Sequence, residues 1–218
     1  RVRSSAASDV YKRQAMGAFF KCLDCRWVNP YEAVEMHKYK GYQLKLMKQN
    51  CIRIPESLIT NDPDELIKFY ENNDRKVIYK PVRGWANTEI LTEEKLKKEN
   101  LSSLANSPIT AQELIEGTDI RAYVVGEDVF ALEIQADTID FRAQENARRI
   151  PINLPDAVIS DCFKINEALG LVFSGIDMKR TSAGEYVFFE ANPTPVFLYD
   201  EECCNYPISE SIVNLLLQ

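Results

Sequence analysis

The sequence predicts an α+β fold, an α+β lobe running to about residue 110 and then a β-rich lobe with covering helices. Short β-branched and aromatic runs, KVIYKPV (76–82), PITAQELI (108–115), IRAYVVG (120–126) and VFALEIQA (129–136), have strand character. Amphipathic stretches with end signals, such as DAVISDCFKINEALG (156–170) closing on Gly170, have helix character. No internal repeat or low-complexity linker interrupts the order.

Taken from the N-terminus, WVNPYEAVEMHKYKGYQLKLMKQN (27–50) opens with Asn29 as an N-cap and Pro30 at the first helical position. Val34, Leu44 and Met47 suit one helix to about Asn50, with Gly41 weakening it. IRIPESLIT (52–60) is short and extended. Asp62, Pro63 and Glu65 repeat the cap pattern before a short helix in ELIKFYENN (65–73). TEEKLKKENL (92–101) has the charge of a solvated helix. Three strands follow from Pro108, the last two joined by a tight turn at Gly126-Glu127-Asp128. After the helix at 156–170 comes a second hairpin, LVFSGIDMKR (171–180) and EYVFFEANP (185–193), around Ser182-Ala183-Gly184. PISESIVNLLLQ (207–218) is a final helix.

A chain of 218 residues, 45% hydrophobic and 27% charged, supports one substantial domain or two small lobes. Its net charge of −7 gives no bulk electrostatic case for nucleic acid or an anionic membrane as partner. No apolar run approaches the roughly 18 residues of a membrane span, and no signal peptide is visible. Six cysteines without a secretion signal fit thiols in a reducing cytoplasm, the expected location. Cys22, Cys25, Cys203 and Cys204 have the number for a four-thiolate zinc site, but adjacent cysteines are awkward ligands and plain thiols are expected. Arg148 and Arg149 read as a solvated loop pair.

The chemistry concentrates in VFFEANPTPVF (187–197), an apolar run that acquires Glu190 and Asn192 on one face of a strand. With a two-residue Ala183-Gly184 loop, Ser182 faces Glu185, and counting back along both strands brings Asp177 opposite Glu190. Their Cβ atoms would lie about 4.5–5.5 Å apart. A three-residue loop without a bulge would instead put them on opposite faces. Opposed carboxylates need a cation, which an Arg, a Lys or a metal ion can supply. An all-oxygen set of Asp177, Glu190 and Asn192 suits Mg²⁺ or Mn²⁺ rather than zinc. The plainer alternative pairs Glu190 with a buried Arg and leaves Asp177 to cap a turn. No GxxxxGK[ST] or GxGxxG run offers a phosphate loop, but Lys40 and Lys80 are well placed for phosphates.

The ordered pieces WVNP, K-x-x-Q-L (40–44), IPESLITNDP, VIYKP, QELIEGTDIRAYVVG, IDFR, LGLVFSGID and FFEANP resemble the ATP-grasp superfamily. Within it they resemble the RimK-like branch, and more narrowly the ligases that macrocyclise microviridin-type peptides, the graspetides. The resemblance implies a clasp of two β-rich lobes on ATP. It implies Lys40 and Lys80 at the α- and β-phosphates, and a hinge of Gln112, Glu113, Leu114 and Ile115 at the adenine, with Glu113 and Leu114 nearest. It implies Asp119 at the ribose hydroxyls, Arg121 and Arg142 at the γ-phosphate and acyl-phosphate, and Asp177, Glu190 and Asn192 as Mg²⁺ ligands.

The implied activity is an ATP- and Mg²⁺-dependent carboxylate–amine or carboxylate–hydroxyl ligase working through an acyl-phosphate on a peptide or protein side-chain carboxylate. A non-catalytic nucleotide-sensing or peptide-binding module is the alternative. A homodimer is allowed for, since family members often pair. The lone glycine in PVRGWANT (81–88) departs from the Gly-rich flap of many ATP-grasp proteins. Residues 1–14 resemble an adaptor or vector scar and are expected outside the fold. Residues 15–35 are expected as the remnant of a preceding region, 36–110 as the first ATP-grasp subdomain, and 111–218 as the second, with the metal site. His37, the only histidine, has no evident partner in the sequence.

Overall fold

The computed structural model describes residues 2–82, 88–97, 101, 104, 107–135 and 147–218. Strands β1 (Ser57–Thr60), β2 (Val77–Pro81), β3 (Glu89–Ile90) and β4 (Ile109–Glu113) make a first antiparallel sheet in the order β1-β4-β2-β3. Helix α4 (Pro63–Asn72) covers one face, its Leu66 and Tyr70 packing with Val77 and Ala111. Asp62 caps α4 by accepting a hydrogen bond from the Asp64 amide at 2.8 Å, and Pro63 holds the first helical position.

The chain crosses between Glu113 and Thr118 into a second antiparallel sheet. Its strands are β5 (Thr118–Val125), β6 (Asp128–Gln135), β7 (Arg148–Ile152), β8 (Phe173–Arg180) and β9 (Tyr186–Asn192), in the order β7-β6-β5-β8-β9. The β5–β6 turn is the tight one expected, with Val125 opposite Asp128 and Gly126 in the left-handed region at φ 58°. Alternation sorts the residues of β5. Ile120, Ala122 and Val124 face a core shared with Val158, Cys162, Ile165 and Leu169 of α5 (Asp156–Leu169) and with Met47 of α3 (Lys40–Gln49). Tyr123 and Val125 face the other way, onto Cys204 of α6 (Leu198–Cys204) and Ile208 and Leu215 of α7 (Ile208–Leu217). Asp119 and Arg121 share this second face, further along β5 toward the hinge. Gly170 ends α5 in the left-handed conformation, as expected.

Several expectations change. The helix expected from Pro30 to Asn50 is two, α2 (Tyr31–Met36) and α3, separated by His37–Tyr39. Gly41 marks a close approach, because a Cβ there would lie 2.5 Å from Cδ1 of Ile59 on β1. Asn29 does not cap α2. Its buried amide donates to Phe173 O at 2.6 Å and Pro193 O at 2.7 Å, and accepts from the Val172 and Phe173 amides at 2.7 and 2.8 Å. Four backbone partners in the second lobe use its hydrogen-bonding capacity more fully than a cap would. In the stretch expected as a charged helix, residues 93–96 form turns, residue 101 is helical and residues 98–100 lie outside the described residues, while Leu96 and Leu101 join the first-lobe core. Residues 83–87, most of the flap segment, lie outside the described residues.

The N-terminal segment expected outside the fold is helical, within α1 (Val2–Cys22). Helix α1 meets the rest beyond that segment, through Phe20, edge-on to Trp27 at 5.4 Å and tilted on Tyr31 at 5.9 Å, and through Lys21 with Glu32 at 3.2 Å. No helix among the described residues is long and apolar enough to cross a membrane.

All six cysteines are free thiols. Burial pushes the Cys162 thiol up to about 12 and also raises Cys204, so both stay protonated and shielded at pH 8. In the native protein a thiol reagent at pH 8 is expected to label exposed Cys22, Cys25, Cys51 and Cys203 quickly, and Cys162 and Cys204 only after denaturation. Fast native labelling of Cys162, located by peptide mapping, would contradict this packing.

Candidate functional site

The second hairpin sets the site, by a route the sequence does not show. Arg180 pairs with Tyr186, so the loop spans residues 181–185 rather than two residues. It is closed by hydrogen bonds from the Gly184 amide to Thr181 O and from the Thr181 amide to Glu185 O, both 2.9 Å. Between the pairs Met178–Phe188 and Asp177–Glu190 the register shifts, leaving Phe189 as a bulged residue. The longer loop and the bulge cancel. Asp177 therefore does lie opposite Glu190, and Gly175 opposite Asn192. Gly175 is required there, since a Cβ would come within 2.6 Å of Pro195, where the chain folds back after Asn192.

Each carboxylate has its own cation. Arg121, opposite Asp177 on β5, donates from Nε to Oδ1 and from Nη2 to Oδ2, both at 2.8 Å. The two side chains are 13% and 16% exposed, so this fork is only weakly screened. Desolvation works against the Arg121 charge, but attraction to Asp177 outweighs it and holds the guanidinium's pKa above its ordinary value. Lys40 Nζ donates to Glu190 Oε2 at 2.8 Å; Glu190 is 15% exposed and Lys40 is 41% exposed, which leaves this pair nearer solvent. The Glu190 partner is thus a lysine, and the arginine goes to Asp177. Next along β8, Lys179 binds Asp119 at 2.9 Å.

Gln43 aims Lys40. One turn along α3 from it, Gln43 is 3% exposed. Its amide accepts from the Ala191 N–H at 3.0 Å and donates to Ala191 O at 2.9 Å, bonding the free edge of β9 as a neighbouring strand would. The spacing K-x-x-Q signalled this position without revealing its role. His37 also belongs here: burial, with Lys40 nearby, keeps its pKa below the usual imidazole value despite attraction to Glu190. Its Nδ1 is buried without a hydrogen-bond partner among the described residues.

The remaining expected residues are less gathered. Lys80 sits half-buried in β2 opposite Thr110, in the other sheet. Gln112 is buried and donates to Ser57 Oγ at 2.9 Å within that sheet. The Glu113 and Leu114 amides bond to Glu56 O and Lys76 O at 2.9 and 2.8 Å, so neither N–H is offered to a ligand. Ile115 is buried just beyond them. Arg142 lies outside the described residues. Arg149 corrects the expectation of a solvated loop pair: it is on β7, 13% exposed, with Nε donating to Asp200 Oδ1 at 3.2 Å.

Asn192 Oδ1 accepts the Thr194 amide at 3.0 Å and keeps a lone pair. Two carboxylates and an amide oxygen, with cations alongside, fit a hard divalent ion shared with phosphates. Among the described residues no three His, Cys, Asp or Glu side chains gather, which also disposes of a four-thiolate zinc site there.

Two antiparallel sheets joined by a short hinge, with these oxygen donors on the last two strands of the second, β8 and β9, are the architecture of an ATP-grasp ligase. Residues 36–215 match the RimK-like ATP-grasp domain model, and the chain belongs to that family. The ATP-grasp ligase PsnB, solved with a phosphomimetic variant of a minimal precursor, Mg and ADP, is 27% identical, with a TM-score of 0.85 over 99% of this chain and 72% of that one. The macrocyclase MdnC of Microcystis aeruginosa MRC, solved with precursor peptide MdnA, is 25% identical, with a TM-score of 0.89 over 100% of this chain and 72% of that one. The alpha-aminoadipate–LysW ligase LysX of Sulfolobus acidocaldarius is 22% identical over 189 residues, 81% of this chain and 68% of that protein.

The substitution Gln43→Ala strips both hydrogen bonds from a buried edge and is expected to cost about 2–3 kcal/mol in urea denaturation. A loss below roughly 0.5 kcal/mol, the ordinary range of surface changes, would show that Gln43 does not hold α3 on β9.

Proposed function

We propose that this chain is the nucleotide-binding and catalytic part of an ATP- and Mg²⁺-dependent ligase that joins a peptide or protein side-chain carboxylate to an amine or hydroxyl. The observation that carries the reading is the opposed pair Asp177 and Glu190, each beside its own cation, with Asn192 on the same strand as Glu190. The peptide part is supported by the precursor peptides held by two of the solved relatives.

In this reading Asp177, Glu190 and Asn192 would hold Mg²⁺ or Mn²⁺. The metal, when bound, neutralises phosphate charge and polarises the phosphoryl oxygens. Lys40 and Lys80 serve the α- and β-phosphates as point charges. Arg121 and Arg142 steady the transferring phosphoryl group, a planar fork being suited to it. Asp119 takes the ribose hydroxyls. Because the Glu113 and Leu114 amides are engaged, the adenine edge falls to the hinge carbonyls and the Ile115 amide.

Binding is then an exchange of partners. Lys40 and Arg121 would turn from carboxylate to phosphate, and a bound metal ion would offset the charge of Asp177 and Glu190 in their place. The reaction class is activation of the substrate carboxylate as an acyl-phosphate, then displacement by nitrogen or oxygen. The chain contributes positioning and charge neutralisation rather than a nucleophile. Residues 36–110 and 111–218 serve as the two halves of the clasp.

Calorimetry with a non-hydrolysable ATP analogue and Mg²⁺ is expected to give micromolar binding, weakened roughly tenfold or more by Asp177→Ala or Glu190→Gln. Release of ADP from ATP, stimulated by a carboxylate-bearing peptide, would mark a ligase. Tight binding without such turnover would instead favour a nucleotide-sensing module. Binding indifferent to Mg²⁺ and to both substitutions would sink the reading.

A further inference from the structure

Tyr123 is the largest fully buried side chain among the described residues, and the proposed chemistry gives its hydroxyl no task. It stands two residues beyond Arg121, on the same face of β5. Its oxygen lies 2.6 Å from Asp200 Oδ2 and 3.0 Å from Val196 O. A phenol has one proton, and the short bond to a carboxylate holds it. The oxygen's lone pairs then remain for a donor, and the Arg121 guanidinium is the neighbouring cation on that face. Asp200, on α6, is 6% exposed and is itself held by Arg149. Asp177, Arg121, Tyr123, Asp200 and Arg149 thus form a row that runs from the opposed carboxylates into the body of the second lobe, its charges alternating on either side of the neutral phenol.

Both Asp177 oxygens are occupied by the Arg121 fork. A metal on the remaining lone pairs of Asp177 would compete with that fork for the carboxylate, and a second anchor would hold the guanidinium's orientation as the fork loosens. We propose that Tyr123 is a positioning residue for Arg121: its hydroxyl, oriented by Asp200, keeps the guanidinium directed at the terminal phosphate once Asp177 turns to the metal. This rests on the reading of Asp177 as a metal ligand and of Arg121 as a γ-phosphate contact.

The test compares the affinities of Mg²⁺-ADP and a Mg²⁺-bound non-hydrolysable ATP analogue for the parent chain, Tyr123→Phe, Asp200→Asn and Arg121→Lys. Tyr123→Phe is expected to reduce the preference for triphosphate over ADP about fivefold, and Asp200→Asn about two- to threefold, with ADP affinity moving less than about twofold. A merely structural role would weaken both nucleotides together and so overturn the inference. An unchanged preference in folded Tyr123→Phe, with a lowered one in Arg121→Lys, overturns this inference alone. An unchanged preference in Arg121→Lys, or no Mg²⁺-dependent binding by the parent chain, removes the underlying reading and the inference with it. Should Tyr123→Phe fail to fold, Asp200→Asn decides by the same ratio.

Discussion

Two carboxylates on opposed positions of neighbouring strands repel each other, and at 15–16% exposure water cannot screen them away. Much of the second lobe can be understood as the answer to that repulsion. Arg121 arrives from β5 because strand pairing places it opposite Asp177. Lys40 arrives from the far side of β9, at the first residue of α3, because Gln43 fixes that helix to the strand edge. Asn29 then fixes the chain leading into α2 by holding the backbone at both Phe173 and Pro193, on either side of the hairpin that bears the carboxylates. Hydrogen bonds to backbone atoms more than 140 residues away thereby decide where a single positive charge stands.

The fold class, most of the strands and the two end-capped helices α4 and α5 were legible, because period and cap chemistry are local. The Asp177–Glu190 pairing was legible only through a compensation. A two-residue loop and an unbroken register lead to the same pair as a five-residue loop and a bulge at Phe189. Asn29 and Gln43 carry short-range signals, an N-cap and a helical polar residue, that tertiary partners override. His37, Arg149 and Asp200 were invisible as site neighbours for a simpler reason. Their partners come from other elements, and a single chain offers no periodicity that points across a sheet.

The divided location of the expected ligands has a physical meaning. The carboxylates, Asn192, Arg121 and Asp119 belong to one sheet and Lys80 and the hinge strand to the other, while α3 touches both, through Gly41 against Ile59 and Gln43 against Ala191. A triphosphate meeting Lys40 and Lys80 together would draw charge from both lobes. The first sheet joins the second through the short stretch between Glu113 and Thr118.

The bonds that Gln43 makes to Ala191, and the one that Arg53 O accepts from the Phe188 amide at 2.9 Å, also occupy an outer edge of the larger sheet. An edge with its donors and acceptors already satisfied gives an incoming chain nothing to zip onto. The strand bearing Glu190 is therefore shielded from cross-β growth between copies of the protein. A peptide also cannot add there as a further strand by β-augmentation.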